Sequence, residues 1–570
     1  VLEWNAGNFD SNPLFTEPDT YNYHLQLSSP CIDTGNPDLD EDGDDYTLDL
    51  DDQDPDGTRL DVGAFYFDQI EHPIIYGCMD SGATNYDSLA NIDDESCFND
   101  GPAYFVSASG NDFFGIGTEL NPYLTIQKGI NASSNGDTVL VSAGTYVESI
   151  NYNGKNIVVQ GEGRETTTID GNQSGSVVIF NSGEDSTAVL KNFTLTNGVS
   201  SEGGGILITN GSSPILDDLI VINNTASVNG GGIAADDQSS LNLIGAVVEN
   251  NVSAVGGGIY AEDASLTFTN VDIANNTSSG SGGGGLRVLN TEVVLDSVLF
   301  QGNISNSGPG GGLYLEGSET QCEVINCSFL NNFAASDGSA INSEGAGLTI
   351  EGSSFLNNVT ESGGAIASVV TGFTMTNTLM YNNSGRDGGA IMCNGSNTIL
   401  TNCTIAGNHD TEVDPGLNSS AILVHSGNES FTILNTIVWN NVINFDDHDG
   451  GTLNVSYSDI EGGESGILIS NNNTGVLNWG ASNINADPLF CDIQNNNFTL
   501  YDNSLCIGNG QDGANIGAFG VGCVLVYTWH VSTLGSDENS GSEDYPFATI
   551  QHAINVSSDG DTVLVSAGTY

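Results

Sequence analysis

GGGIYAEDASLTFTNVDIANNTSSGSGGGGL, residues 256–286, holds one full period of a repeat that fills most of this 570-residue chain. After the glycines, Leu266 and Phe268 alternate with polar residues, the pattern breaks at Asn270, and Val271 and Ile273 alternate up to the pair Asn275-Asn276. Alternation with period two marks a strand whose successive side chains face opposite sides, and each break marks a corner. The glycine marker recurs before Ile206, Ile233, Ile259, Leu286 and Leu313, and in the forms GSAI, GGAI or SSAI before Ile341, Ile366, Ile391 and Ile422. Its spacings are 27, 26, 27, 27, 28, 25, 25 and 31 residues. Asparagine pairs keep step at 223–224, 250–251, 275–276, 331–332, 357–358, 382–383 and 440–441. Three short strands and three corners in such a period make one coil of a parallel β-helix; a propeller blade needs about 40 residues. The expected fold is all-β, a parallel solenoid of about a dozen coils between residues 137 and 525. The asparagine pairs belong at corners, where Asn tolerates left-handed backbone and its amide bonds neighbouring peptide groups.

A longer duplication overlies the short one. GDTVLVSAGTY occurs at 136–146 and again at 560–570, VLEWNAGNFDSNPLF at 1–15 matches VLNWGASNINADPLF at 476–490, and DVGAFYF at 61–67 matches NIGAFGV at 515–521. Residues 1–68 therefore read as the tail of one β-helix unit, 69–101 as a small Cys-flanked module, 102–525 as a complete unit, and 526–570 as the start of another, cut short. Leu124, Ile126 and Ile130 have helical spacing after Asn121-Pro122, and a helix there would lie across the first coil as its cap.

Seven Lys and Arg against 73 Asp and Glu leave a net charge of −66. So few cations cannot neutralise a phosphate backbone or hold an anionic bilayer, which excludes nucleic acid and membrane surfaces as general partners. No apolar run approaches 18 residues, so no membrane insertion by a helix is expected.

YFVSASGNDFFGIGTELNPYLTIQKGINASSNGDTVLVSAGTY, residues 104–146, resembles the opening of bacterial right-handed β-helix proteins of the pectin-lyase-like superfamily. SSPCIDTGNPD with DPDGTRLDVGAFYF resembles their closing segment, and GCMDSGATNYDSLANIDDESC at 77–97 is similar to a small repeat of large surface proteins exported by the type IX secretion system. The resemblance implies a right-handed parallel β-helix, an extracellular or cell-surface location, and a role as an adhesin or structural stalk with glycan binding. Because the superfamily also holds enzymes, it leaves open a polysaccharide lyase, glycoside hydrolase or epimerase. The His-containing GHG and basic RIK motifs of polygalacturonases and the DPHE motif of alginate epimerases do not occur in this chain.

DLDEDGDDYTLD at 38–49 places Asp38, Asp40, Asp42, Asp44 and Asp49 at positions 1, 3, 5, 7 and 12 of a calcium loop, with Gly43 at the sharp turn. Asp52, Asp54 and Asp56 begin a partial second copy. Calcium is therefore the expected cofactor, at about 10⁻⁴–10⁻³ M as in extracellular modules. Millimolar calcium should slow protease cleavage between Asp38 and Asp56 relative to chelator; equal rates would reduce these carboxylates to a solvated acidic loop. Cys78 and Cys97 flank the small module and are expected to be bridged, with Cys491 and Cys523 as a second candidate pair, whereas Cys322, Cys327, Cys393 and Cys403 fall on inward positions.

The residue after each glycine turn starts an inward column, so the next residue faces outward. This parity stacks Tyr260, Arg287 and Tyr314 on three successive coils, flanked by the carboxylates Asp236, Glu262, Glu316 and Glu344. Exposed aromatics beside carboxylates and an arginine suit a sugar chain, through stacking and hydrogen bonds. The four carboxylates are also the candidates for acid–base chemistry: adjacent coils would set them about 5 Å apart, as in retaining glycosidases, and two coils apart would suit an inverting pair. An exposed strand face is normally polar with an occasional Tyr, and that plain reading accounts for these residues first; beyond it, binding without chemistry fits them better than catalysis does.

Overall fold

A computed structural model describes residues 102–394, 397–411, 420–425, 430–446, 450–469, 474–558 and 560–570, with the backbone of four short strands nearer the N-terminus. The chain divides into two compact units, Val1–Ala103 and Tyr104–Tyr570. In the first, Phe15–Glu17 pairs antiparallel with Asn22–Leu25, and Tyr76–Gly77 runs parallel to Ile92–Asp93. The calcium-type carboxylates Asp38 to Asp56 and the pair Cys78 and Cys97 lie outside the described residues.

The second unit winds as a parallel β-helix. One face is a 13-stranded sheet running from Ile150–Asn151 to Ile467–Ile469, the second a bent 26-stranded sheet, the third a narrow 9-stranded sheet. Register is kept coil after coil: Ile259 faces Leu286, which faces Leu313, Ile341 and Ile366 in turn. The bend of the large sheet falls at the expected break, where Asn270, Asn326 and Asn377 take left-handed backbone. Leu266, Phe268, Val271 and Ile273 are at most 2 % exposed, confirming the inward columns. Phe300, Phe329 and Phe355 stack nearly parallel, 4.7 and 4.8 Å apart, because the strand spacing matches the spacing that offset rings prefer.

At the next corner each asparagine pair divides its work. The first member is left-handed, as at Asn223, Asn250, Asn275 and Asn331, and the second is fully buried, except Asn441 of the last pair, which is half-buried. Asn224, Asn251, Asn276, Asn303, Asn332, Asn358, Asn383, Asn408 and Asn441 form one ladder in which each Oδ1 accepts the backbone N–H and the side-chain amide of the rung before it. Gly302 and Gly407 stand in for the first asparagine, since only the left-handed turn is needed there.

The cap forms where expected but starts later. Helix α1 is Ile126–Ala132, capped by Thr125; Ile126 and Ile130 are buried, while Leu124 lies outside the helix and is largely exposed. Asn121-Pro122 is thus not the helix signal. Asp112 takes that part, accepting from the backbone N–H groups of Leu124 and Thr125 and from the Thr125 hydroxyl, and Glu148 accepts from the N–H groups of Ile126 and Gln127. At the other end, Lys155 Nζ donates to the carbonyls of Ile130, Asn131 and Ser133 at 2.6, 3.1 and 2.6 Å. Lys155→Met keeps the stem and strands these carbonyls; a loss of about 1–2 kcal/mol is expected in urea unfolding, with fraying of α1 visible by hydrogen exchange.

Residues 486–523 leave the coil pattern and pack sideways on the outer surface, where Leu500, Cys506 and Ile516 cover Ile437, and Phe498 covers Leu379 and Ala406. A disulfide joins Cys491 and Cys523. Cys322, Cys327, Cys393 and Cys403 are buried free thiols, as their inward parity implies, and burial pushes Cys327 up to about 11. The duplication has a structural counterpart, since Phe490 faces Leu500 and Asp492 faces Asn497 in a hairpin with the register of Phe15 with Leu25 and Glu17 with Asn22. Helix α2, Ile550–Val556, repeats the cap, with Thr549 and Asp537 in the places of Thr125 and Asp112.

Candidate functional site

Strands Ile259–Glu262, Leu286–Leu289, Leu313–Glu316 and Ile341–Glu344 lie side by side in the 13-stranded sheet. Tyr260, Arg287, Tyr314 and Asn342 are register partners on consecutive coils, as are Glu316 and Glu344, with Leu289 between Glu262 and Glu316. The stacking and the parity are as expected. The exposure is not: Tyr260 is only 8 % exposed and Tyr314 only 6 %, and the Arg287 side chain is mostly covered. The glycine turns that mark the repeat fold back over this column. A Cβ on Gly283, whose φ is +67°, would come within 2.5 Å of the Arg287 Cβ, and one on Gly310 within 2.5 Å of the Tyr314 Cβ. The tyrosine rings are therefore closed to sugar stacking.

Covered in this way, the column supports the carboxylates instead. Tyr260 donates its hydroxyl to Glu262 at 2.7 Å, Tyr314 to Glu344 at 2.9 Å, and Arg287 binds Glu316 while its guanidinium lies 4.7 Å from the centre of the Tyr314 ring. Burial, then the hydrogen bond to a carboxylate, holds both tyrosines well above their usual range. Glu262 and Glu316 are half-buried and Glu344 is exposed, so the accessible line on this face is the acidic one.

Beside that line runs a groove of about 480 Å³, lined by Asp237, Gln238, Asp263, Ala264, Asn290 and Glu319. All but Glu319 directly follow Asp236, Glu262 or Leu289 in the chain, and Glu319 comes three residues after Glu316, so carboxylate column and groove form one surface across several coils. The groove residues were missed from sequence, although the adjacent pairs Asp236-Asp237 and Glu262-Asp263 carry a signal for them. Asp337, in the turn before Ile341, was missed too. Burial raises its carboxyl above the usual range, as do the charges of Asp387 and Glu344. Burial, with Asp237 and Glu262 nearby, raises Asp236 as well.

Several buried polar atoms on this face have no hydrogen-bond partner: Asp236 Oδ1, Arg287 Nε and Asn342 Oδ1. Asn342 is only 3 % exposed. Among the described residues no group of three or more His, Cys, Asp or Glu is arranged to hold a metal ion. Farther along the same column, His425 Nδ1 stands 3.9 Å from Asp446 Oδ2, while His409 belongs to the 9-stranded sheet.

Residues 129–329 match the family model described as right handed beta helix region. The fold is accordingly a right-handed parallel β-helix. Among solved structures, the chain is similar to pectate lyase Pel9A, at 14 % identity over 74 % of this chain and 97 % of that one, with a TM-score of 0.33. It is also similar to XylC in complex with xylose, at 10 % identity over 68 % and 87 % of the two chains and a TM-score of 0.34. A PL6 family polysaccharide lyase from Pseudopedobacter saltans shows 12 % identity over 63 % and 90 %, with a TM-score of 0.33. No curated protein sequence matches the chain.

Proposed function

We propose that this protein is a secreted, modular surface protein whose β-helix binds a glycan chain along the acidic face from Asp236 to Glu344 and the groove beside it. The observation that carries this reading is the groove of about 480 Å³, lined by Asp237, Gln238, Asp263, Asn290 and Glu319, that runs beside the acidic line. Five coils, four steps of about 4.8 Å, span three to four sugar residues, and the groove lining is polar, as hydroxyl recognition requires. The test is binding of the full chain to a panel of polysaccharides by affinity electrophoresis. Asp237→Asn with Asp263→Asn, both at exposed positions of the groove, should weaken the best binder at least tenfold while changing the unfolding free energy of the β-helix by less than about 2 kcal/mol. Unchanged binding would remove the face from consideration.

A second reading, polysaccharide cleavage, is favoured by one observation. Asp337 has its carboxyl pushed up by burial and by the charges of Asp387 and Glu344, and a raised carboxyl suits a general acid. Release of new sugar ends by the full chain, lost in Asp337→Asn, would establish it.

A further inference from the structure

The narrow 9-stranded sheet has an outer surface unlike those of the other two. Its first outward column carries Val199, Val252, Ile304, Phe333 and Val359, with Thr225 and Thr277 between them, in register on seven consecutive coils. Val199, Val252, Ile304 and Val359 are 37–42 % exposed, and Phe333 is half-buried. Two residues farther along each coil, the next outward positions hold Ser227, Ala254, Ser279, Asn306 and Ala335, small and uncharged. A single exposed aliphatic is ordinary on a surface, whereas a row of them on successive coils marks a contact. Elsewhere on this solenoid, the outward apolar residues Leu379, Ala406 and Ile437 lie under the closing segment.

In a chain of net charge −66, this face is also free of charge. Segments 223–232, 250–258, 275–285, 302–312 and 331–336 form it on five coils and contain no Asp, Glu, Lys, Arg or His. Over the same coils the 13-stranded sheet carries Glu262 and Glu316, and the large sheet carries Glu249, Asp272 and Glu323. Two copies of the chain that met through either of those sheets would press carboxylates together. Through the narrow sheet they meet apolar side chains and no like charge. Because the column is linear, a twofold axis through Thr277, on its middle coil, lays it upon its own copy. Six steps of about 4.8 Å along the column and about 17 Å across it give roughly 500 Å² on each copy. A total of about 1,000 Å² lies at the small end of specific contacts, where pairing is weak and reversible.

We propose that the narrow sheet is a self-association surface, through which two copies of this chain pair weakly and bury Val252, Ile304 and their neighbours. The groove at Asp237 and Asp263 lies at the opposite corner of the coil, between the other two sheets, and stays open in the pair.

The test is sedimentation velocity of the full chain, in chelator so that no divalent cation bridges acidic faces. With a dissociation constant on the order of 10⁻⁴ M, the chain should be mostly monomer at about 5 μM and mostly dimer at about 500 μM. Since two copies of like charge repel, added salt should tighten the pair. Val252→Asp with Ile304→Asp should abolish it. Val252→Thr with Ile304→Thr, a residue the column already holds at Thr225 and Thr277, should weaken it at least tenfold. Thr267→Asp with Thr349→Asp, an equal charge change at exposed positions of the large sheet, should leave it within twofold. Circular dichroism checks that all three pairs of substitutions remain folded. A monomer at every concentration would overturn the proposal. So would a dimer that survives the changes at Val252 and Ile304, or one that salt dissolves, since its contact would then lie on charged groups. A Val252→Cys thiol that resists maleimide even in dilute solution would mean that a segment of this chain already covers the face, and would overturn it as well.

Discussion

Asn303→Ala should lower stability by about 4 kcal/mol, a loss reached by few single substitutions. The asparagine accepts from the backbone N–H and the side-chain amide of Asn276, both at 3.1 Å, and donates to the Ile273 carbonyl at 2.7 Å and to Asn332 Oδ1 at 3.0 Å. Alanine leaves the Asn276 N–H and the Ile273 carbonyl without these partners in a corner closed to water, where each such group costs about 1–3 kcal/mol. The void left by the amide adds to that. Urea unfolding should show the shift, and hydrogen exchange should show it as faster opening of the coils between Val271 and Phe333. A change under 1 kcal/mol would mean that water or a shifted rung replaces the side chain.

Phe329→Ala should cost about 3–5 kcal/mol, the usual range for a buried phenylalanine. Its ring is fully buried between Phe300 and Phe355, so truncation removes two stacking contacts and the burial of one large side chain together. Phe329→Leu should recover more than half of the loss, because volume matters more than aromaticity in a core of this density. If leucine is as damaging as alanine, the stack itself and not the filled volume supplies the stability.

The interior could be read from the sequence because a solenoid repeats its environment: alternation at Leu266, Phe268, Val271 and Ile273 recurs in every coil, and burial follows it. The asparagine ladder was legible only in part. The pairs showed most rungs, but Asn303 and Asn408 follow a glycine, so the pair signal breaks where the ladder does not. The face shows a sharper limit. Parity placed Tyr260, Arg287 and Tyr314 in one outward column, yet their cover comes from turns whose path depends on left-handed glycines, and alternation within strands holds no record of that path. The sideways packing of residues 486–523 left a fainter trace, in apolar outward residues such as Leu379 and Ile437 that a solvated surface would not favour.

The strands of each coil run across the stacking axis, and the hydrogen bonds between coils run along it. A tension applied along that axis therefore peels the β-helix instead of shearing it, loading the bonds of one terminal coil while the rest stay slack. Each coil of 27 residues that gives way releases roughly 90 Å of extended chain, so a single molecule under tension should lengthen in even, low-force steps. The disulfide between Cys491 and Cys523 withholds its 32-residue loop from that extension until it is reduced. The fold thus behaves as a rod toward side thrust and as a reserve of slack under tension.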